Sequence, residues 1–407
     1  MGYDVRAIRA HFPALAAGAA HFDGPGGSQV PDTVAAAVAD TLLSPLANRG
    51  SVTAAERAAD AVVLAARAAM GDLLGVDPRG VVFGRSMTAL TFDLARTLAM
   101  TWGPDDEVIV TRLDHDANIR PWIRAAEAVG AAVRFADFDP RTAELTVADV
   151  ARELSSRTRV VAVTGASNLL GTRPPVPLIA AATHERGALV VVDGVHLTAH
   201  APVDVAALGA DFYACSPYKF LGPHCGVLAA APDLLESLTP EKLVPSPDSV
   251  PERFELGTLP YELLAGTTVA VDFLAGLAQA GFDAPGTGSR RQRLTASLTA
   301  VERHEDRLRH RIEEGLAVLP GVVVHSRAAS RTPTLLLSFP GRDPQDAYRF
   351  LAERGVNAPA GTFYALEASR RLGFGDRGSL RVGLAPYTDD DDVDRLLDAV
   401  GEFLADP

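Results

Sequence analysis

RVVAVTGASNLLGTRPPVPLIAAATHERGALVVVDG (159–194) reads as strand, helix, strand. Its two ends, RVVAVTG (159–165) and ALVVVDG (188–194), are almost wholly apolar, with no polar alternation. Strands of that kind are covered on both faces, which predicts a parallel sheet between two helical layers. The stretch around 176–186 carries the apolar spacing of the crossover helix. The alternation extends upstream through VVFG (81–84), EVIVT (107–111), a helix around 120–129, AVRFAD (132–137) and a helix around 146–155. Ahead of these, apolar residues recur at helical spacing from Ser51 to Leu74, and Gly75 supplies a stop. Right-handed crossovers then bring the strand C-termini to one edge, where open α/β sheets bind ligands.

Beyond about residue 265 the pattern changes. Helical stretches at 263–280 and 293–318 flank GFDAPGTGSRR (281–291), a Gly/Pro-rich segment expected to be a surface loop. Short strands, GVVVHS (321–326), TLLLSF (334–339) and SLRVGLA (379–385), mix with helices at 347–355 and 391–404. This predicts an N-terminal helical segment (1–20) packed on a small C-terminal α+β domain (266–407), beside a large α/β domain (21–265). The charge-dense helix through 293–318 is expected to present a solvated face. A chain of 407 residues exceeds the size at which single cores stop growing.

The net charge of −13 argues against nucleic acid or an anionic membrane surface as a partner, since either needs a basic face. No apolar run reaches about 18 residues without a charge or breaker, so no membrane span is expected. Asp4, Arg6, Arg9 and His11 interrupt the N-terminus, unlike a signal peptide. Cys215 and Cys225 are the only cysteines, which suits the reducing cytosol. The expectation is a cytoplasmic globular protein.

The strongest chemical signal is a pair. Asp193 closes the strand ALVVVDG, and Lys219 follows 26 residues later in ACSPYKFLGPHCGVLA. A carboxylate at the end of a buried strand faces the ligand crevice, and a lysine among Gly/Pro turns can point into it. Pyridoxal 5'-phosphate chemistry needs such a pair: an amine to hold the aldehyde as a Schiff base and an anion to keep the pyridine nitrogen protonated. Taken singly, a helix-capping Asp and a surface Lys would account for them.

Eight segments, in order, carry a wider resemblance: FDGPGGSQVP (22–31), GRSMTALTF (84–92), LDHDANIRPW (113–122), ASNLLGT (166–172), VDGVH (192–196), SPYKFLGPHCG (216–226), FELGTLPYELLAG (254–266) and LRVGLAPYT (380–388). The chain resembles the class V aminotransferases, a family of fold-type I pyridoxal phosphate enzymes, in the branch of cysteine desulfurases and isopenicillin N epimerase. The resemblance implies a large domain with a mainly parallel, seven-stranded-type sheet between helices, and a homodimer with shared active sites. It places His115 on the cofactor's ring face, and Asn168 and His196 near the ring hydroxyl. The phosphate falls to Ser86, Met87, Thr88 and Ser216, joined by Thr258 from the partner subunit. Arg381, Tyr364, Asn48 and Arg49 fall at substrate-binding positions. Helix N-termini suit phosphate, and a guanidinium fork suits a carboxylate. Asp114 and Asp116 beside His115 leave a metal site open as an alternative reading, although no second ligand cluster follows and no metal is expected.

The departures bear on the reaction. Desulfurases of this family carry a nucleophilic cysteine in the stretch corresponding to NAPAGTFYALEASRR (357–371), which here has Tyr364 and no cysteine. Tyr218 replaces a usual histidine before the lysine. The resemblance therefore points to β-elimination from a cysteine-like or S-conjugated amino acid, a C–S lyase reaction without a persulfide. Transamination, epimerisation or decarboxylation of another amino acid stands as the alternative, and a non-catalytic binding protein of the same fold as a further one.

Overall fold

In the computed structural model, which describes residues 3–278 and 288–406, the apolar runs become neighbours in one sheet. After a short N-terminal strand, β1 (Ala20–His21), come β2 (Val81–Gly84), β3 (Glu107–Thr111), β4 (Ala132–Ala136), β5 (Thr158–Thr164), β6 (Leu189–Asp193), β7 (Phe212–Cys215) and β8 (Gly226–Ala230). These last seven form a sheet in the order β2-β8-β7-β6-β5-β3-β4. Neighbours from β7 to β4 run parallel, and β8 runs antiparallel to both of its own. β7 and β8 flank the Lys219 segment; short and Ala-rich, they show no periodicity of their own and exist by pairing with β6 and β2. Register aligns Thr164 with Asp193, Asp193 with Ala214, and Gly84 with Gly226, so these strand ends share one edge.

The second sheet is antiparallel, in the order β12-β13-β10-β9, from β9 (Val323–Val324), β10 (Thr334–Ser338), β12 (Ala360–Gly361) and β13 (Ser379–Gly383). Between them in sequence, β11 (Val356–Asn357) pairs with β1. Residues 3–20 lie against the C-terminal part. Arg9 bonds the Tyr387 carbonyl at 2.7 Å and Asp392 at 2.6 Å, and Tyr3 stacks on His304 with centroids 4.5 Å apart.

The helix Tyr261–Gly276, which a boundary at 265 would divide, packs against the helices Asp32–Leu43 and Ala54–Leu74. Helix Arg290–Ala317 serves both cores. Leu294, Leu298 and Val301 join the cluster under the large sheet, and Leu308, Ile312 and Leu316 join the one under β10 and β13. Each such leucine, fully buried, contributes roughly 1.5–3 kcal/mol. The solvated face exists at Arg303, Arg307 and His310, but the other face also encloses Glu305 and Arg309. Of the loop expected over 281–291, residues 281–287 lie outside the described residues. Among the described residues no helix is long and apolar enough to cross a membrane.

Candidate active site

The edge where β3, β5, β6 and β7 end lines a narrow pocket, walled by Met87, Thr88, His115, Asn168, Asp193, His196, Ser216, Tyr218 and Lys219. Lys219 ends a single tight turn, Pro217–Lys219, directly after β7, because Pro217 stops the strand. Its Nζ donates to the Pro25 carbonyl at 2.5 Å and lies 4.8 Å from the Tyr218 ring centroid. No carboxylate pairs with it among the described residues. Burial, reinforced by Arg381 and opposed by Asp193, pulls the amine from 10.5 down to about 7. Near neutral pH half of it is unprotonated and nucleophilic.

Asp193 accepts from the Val195 N–H at 2.9 Å, and burial raises its carboxyl to about 6, against the pull of that N–H and of Lys219. A cation placed against it would restore its charge. His115 caps its own turn, Nδ1 accepting from Ala117 N–H at 3.0 Å, and burial and Lys219 hold it neutral, near 4. Behind it the Asp114 carboxyl, fixed by Asn118 at 2.7 Å and by Thr111, is pushed up to about 8 by burial. With its carboxyl protonated and committed to those partners, Asp114 is a poor metal ligand.

The opposite corner is the N-terminus of helix Met87–Ala99, where Met87 and Thr88 line the pocket. The Ser86 hydroxyl caps that helix through Ala89 N–H at 3.1 Å and is not among the lining groups. Gly226 lies flush against this terminus: a Cβ there would come within 2.2 Å of the Ser86 carbonyl carbon and 2.5 Å of Met87 N. Ser216 is buried in the same wall.

Outward, a cavity of about 540 Å³ is bounded by Phe92, Arg120, Phe363, Tyr364 and Arg381. Arg381, on β13, is buried and has no carboxylate partner among the described residues; it donates to the Asn168 carbonyl at 3.1 Å and rests 3.7 Å from the Phe363 ring centroid. Its Nε is buried without a partner, as is Asn168 Oδ1. Phe363 and Tyr364 both hold left-handed backbone, φ +52° and +59°. Asn168 Nδ2 donates to the Phe363 carbonyl at 2.9 Å and Asp116 N–H to that of Tyr364 at 2.7 Å, which sustains the strain. Tyr364 is 75 % exposed, its ring 5.4 Å from that of His115.

Three expected residues stand apart from this pocket. Arg49 is tied to Asp60 at 2.8 Å and Glu252 at 2.9 Å, Asn48 is exposed, and Thr258 is exposed on a loop. His196 lines the pocket, but its Nε2 faces Thr332 and Thr334, at 3.0 and 2.9 Å. Pro25, Phe92, Arg120 and Phe363 were not foreseen. Pro25 lies in the quoted FDGPGGSQVP, yet only the fold brings its carbonyl to Lys219.

The donor set fits pyridoxal phosphate. A buried amine without an acid partner awaits a carbonyl carbon, a buried acid awaits a cation, and the N-terminus of helix Met87–Ala99 opens on the pocket for an anion. The family model for class V aminotransferases matches residues 20–396. The Mycobacterium tuberculosis protein MT3887, itself uncharacterized, is 33 % identical over 405 residues, 99 % of this chain and 100 % of the relative. A probable cysteine desulfurase of Pseudomonas aeruginosa is 30 % identical, covering 97 % of each chain. The crystal structure of the cysteine desulfurase CsdA from Escherichia coli superposes with a TM-score of 0.86 at 28 % identity, covering 100 % of this chain and 99 % of that one. The chain belongs to the class V aminotransferase family and is a pyridoxal-phosphate-dependent enzyme.

Proposed function

We propose that this chain breaks the carbon–sulfur bond at the β-carbon of a cysteine-like or S-conjugated cysteine substrate by elimination, without storing sulfur on a protein thiol. The observation that carries the reading is where the sulfur atoms lie. Cys215 and Cys225 are sealed in the core, and burial raises both thiols, Cys225 to about 11 and Cys215 further. At the cleft mouth stands Tyr364. A persulfide relay needs a thiolate that reaches the substrate, and a phenol cannot take that part.

Lys219 would hold the cofactor's aldehyde carbon, Asp193 its ring nitrogen, His115 its ring face, Asn168 and His196 its ring oxygen. Met87, Thr88 and Ser216, at the helix N-terminus that Ser86 caps, would hold the phosphate. Bound pyridoxal phosphate supplies an electron sink for the pair released at the substrate's Cα. Arg381 takes the substrate carboxylate, its plane set by Phe363. The Cα proton passes to Lys219 Nζ, whose titration near 7 lets it accept and return a proton. The Cβ–S bond then breaks with its electron pair on sulfur, the sulfur takes a proton, and the enamine left behind hydrolyses to pyruvate and ammonia.

The homodimer belongs to this reading. The Arg49–Glu252 ion pair ties segments 42–52 and 243–258 together, and Leu42, Leu43, Val52, Val244 and Leu256 in those segments are exposed, as is Thr258. Exposed apolar side chains of that kind suit a second copy, into whose pocket Thr258 would reach. The test is incubation of the loaded enzyme with cysteine, S-substituted cysteines and sulfur-free amino acids. Pyruvate and thiol in equal amounts are expected. Alanine with protein-bound sulfur, or a keto acid or inverted amino acid from a sulfur-free substrate, would overturn the reading.

A further inference from the structure

We infer that Thr334, on the small-domain strand β10, fixes the tautomer of His196 so that its pocket-facing nitrogen, Nδ1, is an obligate hydrogen-bond donor. The argument counts protons. His196 Nε2 lies 2.9 Å from the Thr334 hydroxyl and 3.0 Å from that of Thr332, and all three residues are buried. Thr332 has an acceptor for its own proton, the Gly171 carbonyl at 3.3 Å; Thr334 has none but the imidazole among the described residues. If Nε2 carried hydrogen, the Thr334 proton would be buried with no acceptor, which proteins avoid. With Nε2 accepting from Thr334, both threonine protons are placed, and the ring's own hydrogen sits on Nδ1, which has no protein partner and belongs to a side chain lining the pocket, where water or a ligand can accept it.

The ring stays neutral. Burial disfavours a second proton, and the charged and titratable groups around the ring, His200 on its own helix, Arg381 on β13 and Lys219 after β7, add to it. His200 meets it edge-on, centroids 4.6 Å apart, and is itself anchored to buried Glu305 at 2.8 Å, so the imidazole cannot swing away. A donor at this place selects an acceptor: a deprotonated ring oxygen on the cofactor rather than a hydroxyl. Thr334 thereby acts as a positioning residue that ties the cofactor pocket to the sheet carrying Arg381, since Thr334 pairs with Gly383 two residues beyond it. Only the cofactor half of this inference rests on the function proposed above.

The two threonines, almost equidistant from the ring, make the test sharp. In apo protein labelled with ¹⁵N-histidine, the His196 proton is expected on Nδ1 in wild type and in Thr332→Val. In Thr334→Val, Thr332 can both accept from Nε2–H and donate to Gly171, so the proton is expected to move to Nε2; Thr334→Ser should return it to Nδ1. Pyridoxal phosphate should bind about tenfold more weakly to Thr334→Val than to Thr334→Ser, the scale of one hydrogen bond to a charged acceptor. A wild-type proton on Nε2, or a Thr334→Val spectrum matching wild type with the fold intact by circular dichroism, overturns the inference. A chain that takes up no pyridoxal phosphate would sink the cofactor reading while leaving the tautomer result standing.

Discussion

Capture of pyridoxal phosphate by apo protein should depend on pH as the titration of one buried amine. Only neutral amine attacks an aldehyde. An ordinary lysine at 10.5 has about one neutral molecule in 3,000 at pH 7, whereas Lys219, held at about 7, has half. The pocket thus supplies about a thousandfold of reactive amine without any catalysis. Two neighbours set the midpoint in opposite senses: the Arg381 cation pushes it down and the Asp193 anion pulls it up. The assay is the rate at which the visible band grows when pyridoxal phosphate is mixed with apo protein from pH 5.5 to 10, divided by the rate for a free amine to cancel the coenzyme's own titrations. The expected corrected rate rises through a midpoint near 7 and levels off. Arg381→Met should shift that midpoint upward and Asp193→Asn downward. A corrected rate still climbing at pH 10, or two variants shifting together, would refute the reasoning.

Three further expectations follow from named contacts. Gly226→Ala drives a Cβ into backbone atoms of Ser86 and Met87 that cannot rotate aside; thermal unfolding should show a loss of about 1–3 kcal/mol, and dialysis a faster loss of cofactor. Asp114 keeps a proton in the folded chain up to about pH 8 that the unfolded chain releases near 3.8, so its contribution is full at low pH and declines as pH rises between those values. Urea titrations at pH 5 and 8 should show Asp114→Asn flattening that decline by about 1–3 kcal/mol, the scale of a buried polar group's desolvation. Arg381→Met should raise KM for carboxylate substrates at least tenfold, by loss of a charge-assisted pair of about 1.5–3 kcal/mol, with a smaller effect on kcat.

The large sheet was legible because its strands are covered on both faces and carry no alternation to confuse them. RVVAVTG and ALVVVDG became β5 and β6, in register from Val160 with Leu189 to Thr164 with Asp193. β7 and β8 escaped notice because a four- or five-residue strand beside a catalytic loop draws its stability from partners distant in sequence. GVVVHS (321–326) promised six residues, yet only Val323 and Val324 pair, on an outer edge of the small sheet. Asp193 and Lys219 were singled out as a pair, by a strand end and a Gly/Pro turn, and His115 through the family resemblance; the fold brings all three to one pocket. Pro25 and Phe363 were not singled out, since a backbone carbonyl and a ring stacked on an arginine leave no mark in composition. Nor was the Thr332–Thr334 contact with His196, which joins positions more than 130 residues apart. Arg49 shows the converse. The family resemblance put it at a substrate-binding position, but in this chain its fork is spent on Asp60 and Glu252.

The central claim is that the amine of Lys219 is the covalent anchor of the coenzyme. Borohydride reduction of the loaded enzyme, followed by protease digestion and mass spectrometry, reads that anchor directly. The account predicts a single pyridoxyl adduct on the peptide containing Lys219, absent from Lys219→Ala. An adduct on Lys242, or none on a protein that has bound the coenzyme, would contradict it.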